Sequence, residues 1–260
     1  MRIDLAQLRE LYDQDERRCM HDPDMRREEL PNLVRYVSAD SMHSCVLYSR
    51  LGASEVEQVA REQIAYFRAL GHSFEWKVYA HDMPYDLKER LRACGFAVGE
   101  PESVMVFDTD TAPPALLRPP ASDIRAISDP AGLADVIAVE NDVWSEDHSW
   151  ITHRFGPRLD EPGPPVLFFA AYVGGRPASA GWVIFNPGSH FGSLWGGSTL
   201  VEHRGRGLYT DLLAARVQAA RRRGVRFLTV DAGPMSRPIL ERHGFQTMTQ
   251  AYECVWKPEG

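Results

Sequence analysis

Apolar residues recur at helical or strand spacing through the first half of the chain and predict a mixture of both elements. Leu5, Leu8 and Leu11 share one helix face, whereas 74–79 alternates apolar and polar residues as a half-buried strand does. The charged segment 19–31 contains two prolines and is predicted to be a loop. The elements expected in chain order are helix 4–18, strands 33–37 and 44–49, helix 54–70, strand 74–79, helix 87–93 and strand 104–107.

Two pairs of prolines then exclude a continuous helix or a central strand. They predict a linker at 111–122 between a domain at 1–110 and a second at 123–260. Gly174-Gly175 indicates a hairpin turn, and Gly196-Gly197 indicates a bulge within a strand. The elements expected are strand 123–128, a helix starting at Asp129-Pro130, a second short helix with loops in 141–155, strands 166–173, 178–185 and 191–201, helix 207–223, strand 225–230, helix 239–243 and strand 245–256.

The composition is that of an ordinary globular protein, with 44% hydrophobic and 25% charged residues. A net charge of −7 argues against a general nucleic-acid binder. Four scattered cysteines without zinc-ligand spacing predict reduced thiols, no metal site and a cytoplasmic protein. The N-terminus has no signal-peptide core and no apolar run reaches membrane-spanning length, so no membrane association is expected.

The segment 201–210 places a glycine-rich turn between a predicted strand and a predicted helix. Gly205 and Gly207 allow a tight turn and a close approach of the backbone to a ligand. The helix that follows leaves its first N–H groups unpaired at the positive end of its dipole. With Arg204 and Arg206 adding positive charge, this arrangement is suited to a pyrophosphate.

This turn resembles the acetyl-CoA loop of the GNAT family of N-acetyltransferases, whose pattern is Q/R-x-x-G-x-G/A. Arg204 and Gly207 match the pattern, while Tyr209 stands where the family usually has Gly or Ala. The element order β-α-α-β-β-β-α-β-α-β extends the resemblance over 123–256. It implies an α/β (α+β) fold, namely the GNAT fold, with a mixed and mostly antiparallel sheet flanked by helices.

The first half repeats this pattern in degenerate form. Leu91-Arg-Ala-Cys-Gly-Phe96 parallels Leu240-Glu-Arg-His-Gly-Phe245, and helix 54–70 corresponds to helix 207–223. The halves therefore resemble a tandem GNAT arrangement; the alternative is ordinary α/β patterning. Ser54 and Glu57 predict a capping box at the start of the first-half helix. Because that helix start is occupied and acidic, only the second half is expected to bind CoA.

The resemblance implies acetyl-CoA as co-substrate and a primary amine of a small molecule or peptide as acceptor, in a monomer or homodimer. It also implies that the strand end and the loop hold the cofactor, the strand through backbone N–H groups and the loop around the pyrophosphate. The residues expected to do so are Thr199, Leu200, Val201, Arg204, Gly205, Arg206, Gly207, Leu208, Tyr209 and Thr210.

The residues that act as general acid and general base are less clearly indicated by the sequence than the cofactor-binding residues. Many family members carry a tyrosine where this chain has Leu240, and the entering strand has no carboxylate. We predict Ser236 and Tyr252 as catalytic residues, although an N-cap and a core position are the structural alternatives. The sequence leaves open a water chain and further candidates, which are Asp231, His243 and the cluster Glu140, Asp147 and His148.

The segment 140–150 contains four carboxylates and two tryptophans, and the resemblance places the acceptor beside it. We predict that Trp144, Glu146, Asp147 and Trp150 attract an ammonium group; a solvated acidic loop is the alternative. Two other functions stay open. One is a GNAT-like module that binds CoA as a sensor or interaction partner without catalysis. The other is an unrelated nucleotide-binding protein, which no Walker lysine or dinucleotide fingerprint supports.

Overall fold

The computed structural model describes residues 4–41 and 43–258. Up to residue 117 the elements are α1 (Leu5–Tyr12), β1 (Met25–Glu29), β2 (Leu33–Ser38), β3 (Ser44–Ser49), α2 (Val56–Leu70), β4 (Phe74–Tyr79), α3 (Leu87–Ala93), β5 (Ala97–Val98), β6 (Glu102–Asp108) and α4 (Pro114–Leu117). The remaining elements are β7 (Asp123–Ile127), α5 (Pro130–Trp144), α6 (Trp150–Phe155), β8 (Val166–Val173), β9 (Arg176–Phe185), β10 (Phe191–Thr199), α7 (Leu208–Arg222), β11 (Phe227–Ala232), α8 (Arg237–Arg242) and β12 (Gln246–Trp256).

The chain forms two compact units. Unit 1 contains the residues up to Met105, Asp231–Leu240 and the residues from Gln246 onward; unit 2 contains Val106–Val230 and Glu241–Phe245. The grouping departs from chain order because β12 pairs with β4 in unit 1. The short helix α4 forms within the predicted linker 111–122. The domain boundaries expected from the sequence stay a prediction.

Unit 1 is built on a sheet in which β1, β2, β3, β4 and β12 are neighbours in that order. Each pair is antiparallel except β3 with β4, which is parallel. Helices α2 and α3 cover one apolar core, in which the ring of Phe67 stacks on Phe74 at 4.3 Å between centroids. Burial of these aromatic rings stabilises this core.

Unit 2 has the strand order β11-β10-β9-β8-β7. Again one pair, β10 with β11, is parallel and the others are antiparallel. The parallel pair is connected by a crossover through α7. The apolar face of α5 packs with α6 on β8 and β9 around Phe168 and Trp182. Asp129 caps α5 as expected, because its carboxylate accepts hydrogen bonds from the N–H groups of Ala131 and Gly132.

Two sequence expectations for the first half are wrong. The predicted loop 19–31 contains strand β1, which the sequence hides because its residues are Met-Arg-Arg-Glu-Glu. These charged residues suit an exposed edge strand, where they discourage pairing with other chains. The predicted capping box also does not form. Helix α2 starts at Val56, and the Glu55 carboxylate accepts a hydrogen bond of 2.6 Å from the N–H of Gly52.

No helix in the described ranges is both long and apolar enough to cross a membrane.

Candidate active site

Strands β10 and β11 separate part-way along their length in unit 2. Their parallel pairing covers only Phe191 with Phe227, Gly192 with Leu228 and Ser193 with Thr229. Strand β10 nevertheless continues to Thr199, still paired with β9 on its other edge. The separation leaves a wedge beside the second half of β10. Backbone groups that point into this wedge are available to a ligand.

Two glycines bend β10 where the wedge opens. Gly196 and Gly197 have φ values of 64° and 88°, and the pairing with β9 shifts between Gly196 and Ser198. This confirms the predicted bulge. A Cβ at Gly196 would lie 3.0 Å from Glu140 Oε1, whereas a Cβ at Gly197 would lie 3.1 Å from Tyr209 Cε2. The glycines therefore let one side chain from α5 and one from α7 approach the strand closely.

The segment predicted to be an anion cradle forms a left-handed glycine turn at the start of α7. Gly205 and Gly207 adopt φ values of 74° and 85°, and a Cβ at either position would meet nothing within 4 Å. Within the described chain, no side chain caps α7 at Gly207, unlike α5 with its Asp129 cap. The first N–H groups of α7 thus have no capping acceptor side chain among the described residues. This is the arrangement that binds a phosphate.

The end of β10 shows which amides point into the wedge. The N–H of Leu200 donates to the carbonyl of Ala178 at 3.0 Å, so it is used within unit 2. Because hydrogen bonding alternates from edge to edge along an antiparallel strand, the N–H and C=O of Thr199 point the other way. The carbonyl of Thr199 indeed accepts 3.0 Å from Arg204 Nε. Thr199 is therefore a better candidate donor to a ligand than Leu200.

Tyr209 departs from the usual loop pattern, and the structure shows what it contacts. Its ring packs against Gly197, where the Cβ of a larger residue would lie 3.1 Å from Tyr209 Cε2 and the ring would have to shift. Burial raises the pKa of the Tyr209 hydroxyl, although nearby Arg216 opposes the shift, so the phenol is protonated at neutral pH. The next residue, Thr210, pairs its hydroxyl with His243 Nε2 at 3.2 Å. Burial and Arg242 lower the pKa of His243, which favours a neutral imidazole there.

Arg216 is a buried cation that the sequence analysis missed. It is 2% exposed, and its Nη1 donates a hydrogen bond of 3.3 Å to the carbonyl of Trp195, next to the bulge. Burial lowers its pKa, while Tyr209 and Glu140 raise it. One signal was present in the sequence. Arg216 lies on the same helix face as Leu212 and Ala219, where an arginine is unexpected.

Glu140, one of the open acid–base candidates, is buried at the end of α5. It is 2% exposed, and its Oε2 accepts from Ser198 Oγ at 2.9 Å and from Trp144 Nε1 at 3.1 Å. Burial raises the pKa of the carboxyl, and the hydrogen bonds from Ser198 and Trp144, with the charges of His148 and Arg216, oppose the rise. Trp144 also donates 3.0 Å to Ser198 Oγ, which ties the three side chains together.

The four predicted acceptor residues all lie at or after the end of α5. Trp144 and Trp150 are 56% and 38% exposed, so both present aromatic surface to solvent. Glu146 is exposed as well. Asp147 instead holds the backbone, because its carboxylate accepts 2.9 Å hydrogen bonds from the N–H and the hydroxyl of Ser149. These bonds lower the pKa of Asp147. The role of these four residues toward an acceptor stays a prediction.

The predicted catalytic residues Ser236 and Tyr252 belong to unit 1. Ser236 donates 3.3 Å to the carbonyl of Gly233 in the turn before α8. Tyr252 lies on β12 opposite Val78, and Lys88 Nζ sits 3.7 Å from its ring centroid. Its ring packs against the core of unit 1, as the structural alternative supposed. Their catalytic assignment stays a prediction.

The corresponding wedge of unit 1 is filled by the chain itself. Parallel pairing of β3 with β4 ends at Val46 with Trp76. Beyond that point Arg17, on a π-helical turn at Asp13–Arg18, donates 2.8 Å to the carbonyl of Leu47. The same guanidinium stacks 4.0 Å from the ring centroid of Tyr79 and forms a two-bond pair with Asp82 after β4. At the start of α2, the Glu55 carboxylate occupies the N–H of Gly52.

Comparison with known proteins agrees with this geometry. Residues 133–245 match the family described as "Acetyltransferase (GNAT) family". The match identifies a GNAT-type domain in this segment, which makes up less than half of the chain. A search of curated proteins gave no match. The matched segment contains the bulge, the glycine turn, Glu140 and Ser236, whereas Tyr252 follows it in the chain.

Solved structures share the fold over almost the whole chain. A GCN5-related N-acetyltransferase from Kribbella flavida has a TM-score of 0.71 and 16% identity, covering 91% of this chain and 91% of its own. A conserved protein of unknown function from Staphylococcus epidermidis has a TM-score of 0.66 and 12% identity, covering 95% and 98%. A tandem GNAT protein from the clavulanic acid biosynthesis pathway has a TM-score of 0.60 and 15% identity, covering 93% and 86%. At these identities the likeness confirms the predicted GNAT fold.

The contact between Gly197 and Tyr209 leads to a stability prediction. Gly197→Ala is expected to lower the free energy of unfolding by about 2 kcal/mol or more, since it combines left-handed strain with a collision against the Tyr209 ring. Gly174→Ala is the control, because Gly174 has φ 57° with nothing within 4 Å. Urea unfolding of both variants separates the cost of left-handed backbone strain from the cost of the contact with the Tyr209 ring. Equal losses would show that the Tyr209 contact has no effect.

Proposed function

We propose that unit 2 binds acetyl-CoA and transfers its acetyl group to a primary amine of a small molecule or peptide. The observation that carries the proposal is the uncapped start of α7, which opens onto empty space at Gly205 and Gly207 beside the wedge of β10. A pyrophosphate needs converging N–H donors without a competing carboxylate, and this site offers them. The first-turn acid Asp211 is engaged elsewhere, since its Oδ2 accepts 2.9 Å from the N–H of Ser122.

Each part of the ligand has a matching part of the site. The N–H groups at 207–210 and the side chains of Arg204 and Arg206 suit the pyrophosphate. Thr199 offers its N–H to an amide-containing arm that continues along β10, while its C=O accepts from Arg204 Nε. When bound, acetyl-CoA supplies the activated acyl group. The bulge at Gly196-Gly197 then supports the proposal further, because it leaves room beside the strand at the point where the wedge opens.

We propose one CoA site per chain, in a tandem arrangement whose first half has lost its site. Arg17 fills the wedge of unit 1, and Glu55 places a carboxylate where a phosphate would need the Gly52 amide. The Arg17 side chain leaves no room for an extended ligand in this wedge, and the Glu55 carboxylate repels an anion at the start of α2. Calorimetric titration with CoA is expected to give a stoichiometry of one, and a value of two would contradict the degenerate first half.

The test of the activity is a panel of primary amines with acetyl-CoA, followed by release of free thiol. We expect thiol release above the background hydrolysis rate with at least one amine, together with the mass of its acetylated product. The alternative is a binding module that holds CoA without catalysis. Saturable CoA binding without product from any amine across the pH range would favour that alternative.

The acceptor prediction concerns the carboxylates after α5. Glu146→Gln combined with Asp147→Asn is expected to raise the KM of the amine several-fold and leave the CoA Kd unchanged, because an acidic wall concentrates a cation. A melting curve of the single variant Asp147→Asn reports any loss of stability from the Ser149 hydrogen bonds. Asp160→Asn, which removes an exposed charge after α6, is the control. A normal KM in the double variant would refute this placement.

A further inference from the structure

The two oxygens of the Glu140 carboxylate have different surroundings. Oε2 accepts both hydrogen bonds, from Ser198 Oγ and Trp144 Nε1. Oε1 is buried and makes no hydrogen bond with any described residue. A buried carboxylate oxygen without a donor is costly, and native proteins keep such groups mostly where a ligand or a reaction needs them. The chain thus holds one oxygen of Glu140 in place and leaves the other available.

Oε1 points at the place where the proposed acyl group is expected. A Cβ at Gly196 would lie 3.0 Å from Oε1 and 2.6 Å from Trp182 Cζ3, so glycine at this position lets both side chains lie against the strand. Gly196 belongs to the bulge at which β10 separates from β11. An amine that approached a ligand in this wedge from the α5 side would pass Oε1.

The charged groups around Glu140 set its proton affinity. His148 lies on the loop after α5 and Arg216 on α7, and each favours the carboxylate, as do the two hydrogen bonds to Oε2. Burial outweighs these effects and leaves the pKa of Glu140 above its usual value. A carboxylate whose pKa is raised toward neutrality is a more effective proton acceptor than an exposed one.

The geometry points to Glu140 as the general base of the proposed acetyl transfer, with Ser198 and Trp144 as positioning residues that hold it through Oε2. This inference rests on the proposed function. Oε1 takes one proton from the ammonium of the acceptor, directly or through a water. The neutral nitrogen attacks the thioester carbonyl, a C–N bond forms and the C–S bond breaks. The second nitrogen proton goes to the leaving thiolate, so the products are an amide, CoA thiol and one proton from Glu140 to solvent.

The central experiment compares Glu140→Gln with the wild-type protein on an amine found active in the panel. We expect kcat/KM to fall at least about 100-fold, the size of a general-base contribution, while the CoA Kd by calorimetry stays the same. Asp160→Asn, an equal loss of charge on an exposed loop, is expected to keep full activity. Ser236→Ala and Tyr252→Phe test the alternative proton-transfer residues.

A second readout needs no turnover. In protein labelled with ¹³C at the glutamate carboxyl carbons, the resonance that is absent from Glu140→Gln should titrate above the usual glutamate range in the ligand-free state. Burial also raises the pKa of Glu75 and Glu102, so this variant is needed to assign the resonance. Ser198→Ala removes a hydrogen bond that favours the charged form, so this resonance should titrate at higher pH. The acidic limb of kcat/KM should move to higher pH with it, since activity is lost as pH falls through the pKa of the base.

The outcomes separate the two proposals. Activity of the wild-type protein with an equally active Glu140→Gln variant overturns the role of Glu140 and leaves the proposed function in place. The role of Glu140 is overturned as well if its resonance titrates in the usual range, or if Ser198→Ala shifts neither the resonance nor the acidic limb. No acetylated product from any amine with the wild-type protein refutes the proposed function, and the role of Glu140 with it.

Discussion

Gly207→Glu is expected to abolish CoA binding while the fold survives. The substitution places a carboxylate at the uncapped start of α7, where it takes the N–H groups that a phosphate requires. It also sets a negative charge against the pyrophosphate; at about 4 Å and an effective dielectric constant near 20, one such pair costs about 4 kcal/mol. We therefore expect the Kd for CoA to rise on the order of 100-fold or more, measured by calorimetric titration.

Gly224→Glu is the matched control at the other end of α7. Gly224 has a left-handed φ of 70°, against 85° at Gly207, and neither would meet an atom within 4 Å through its Cβ. Both variants therefore carry similar backbone strain and the same added charge. Only Gly207→Glu should lose CoA affinity. Equal affinities in the two variants would show that the start of α7 is not the phosphate site.

The cradle could be predicted from the sequence because its parts are adjacent in the chain. A strand, a glycine turn and a helix follow each other within 191–223, and local rules for each element apply in turn. The Gly196-Gly197 bulge was predictable for the same reason. Tyr209 could be noted as a departure from the family pattern, but its packing against Gly197 depends on how α7 lies on the sheet.

Contacts between distant segments explain what the sequence did not predict. Glu140 and Ser198 are 58 residues apart, and nothing local in either segment indicates their hydrogen bond. The same holds for β12, which pairs with β4 in unit 1 although it follows the GNAT domain in the chain. Strand β1 was missed because edge strands tolerate charged residues on both faces. In each case tertiary pairing determined the structure, and local periodicity does not report it.

The largest stability effect is expected at Arg17, the side chain that fills the wedge of unit 1. It is 1% exposed and pairs with the buried carboxylate of Asp82 through hydrogen bonds of 2.9 and 2.8 Å. Arg17→Met keeps most of the side-chain volume but leaves Asp82 buried without its cation. Breaking a buried pair in this way costs about 3–5 kcal/mol. Urea unfolding should show this loss, with the slope of the transition unchanged.

Arg18→Met is the control, because Arg18 forms an exposed ion pair with Glu29 at 2.9 Å, where the side chains are 39% and 46% exposed. Exposed pairs contribute at most about 1 kcal/mol, so this variant should stay close to the wild-type stability.

The loss in Arg17→Met should also depend on pH in a defined direction. Burial already raises the pKa of Asp82 in the native protein, although Arg17 and the N–H of Tyr79 oppose the rise. Without Arg17 the folded-state pKa rises further above the unfolded value, so the folded state binds more protons and the variant regains stability as pH falls through that raised pKa. Asp82→Asn in the Arg17→Met background removes the buried charge and should recover part of the loss at neutral pH. The loss of stability could instead be independent of pH and equal in the single and double variants. That result would show that lost packing, rather than the unpaired Asp82 carboxylate, accounts for the loss.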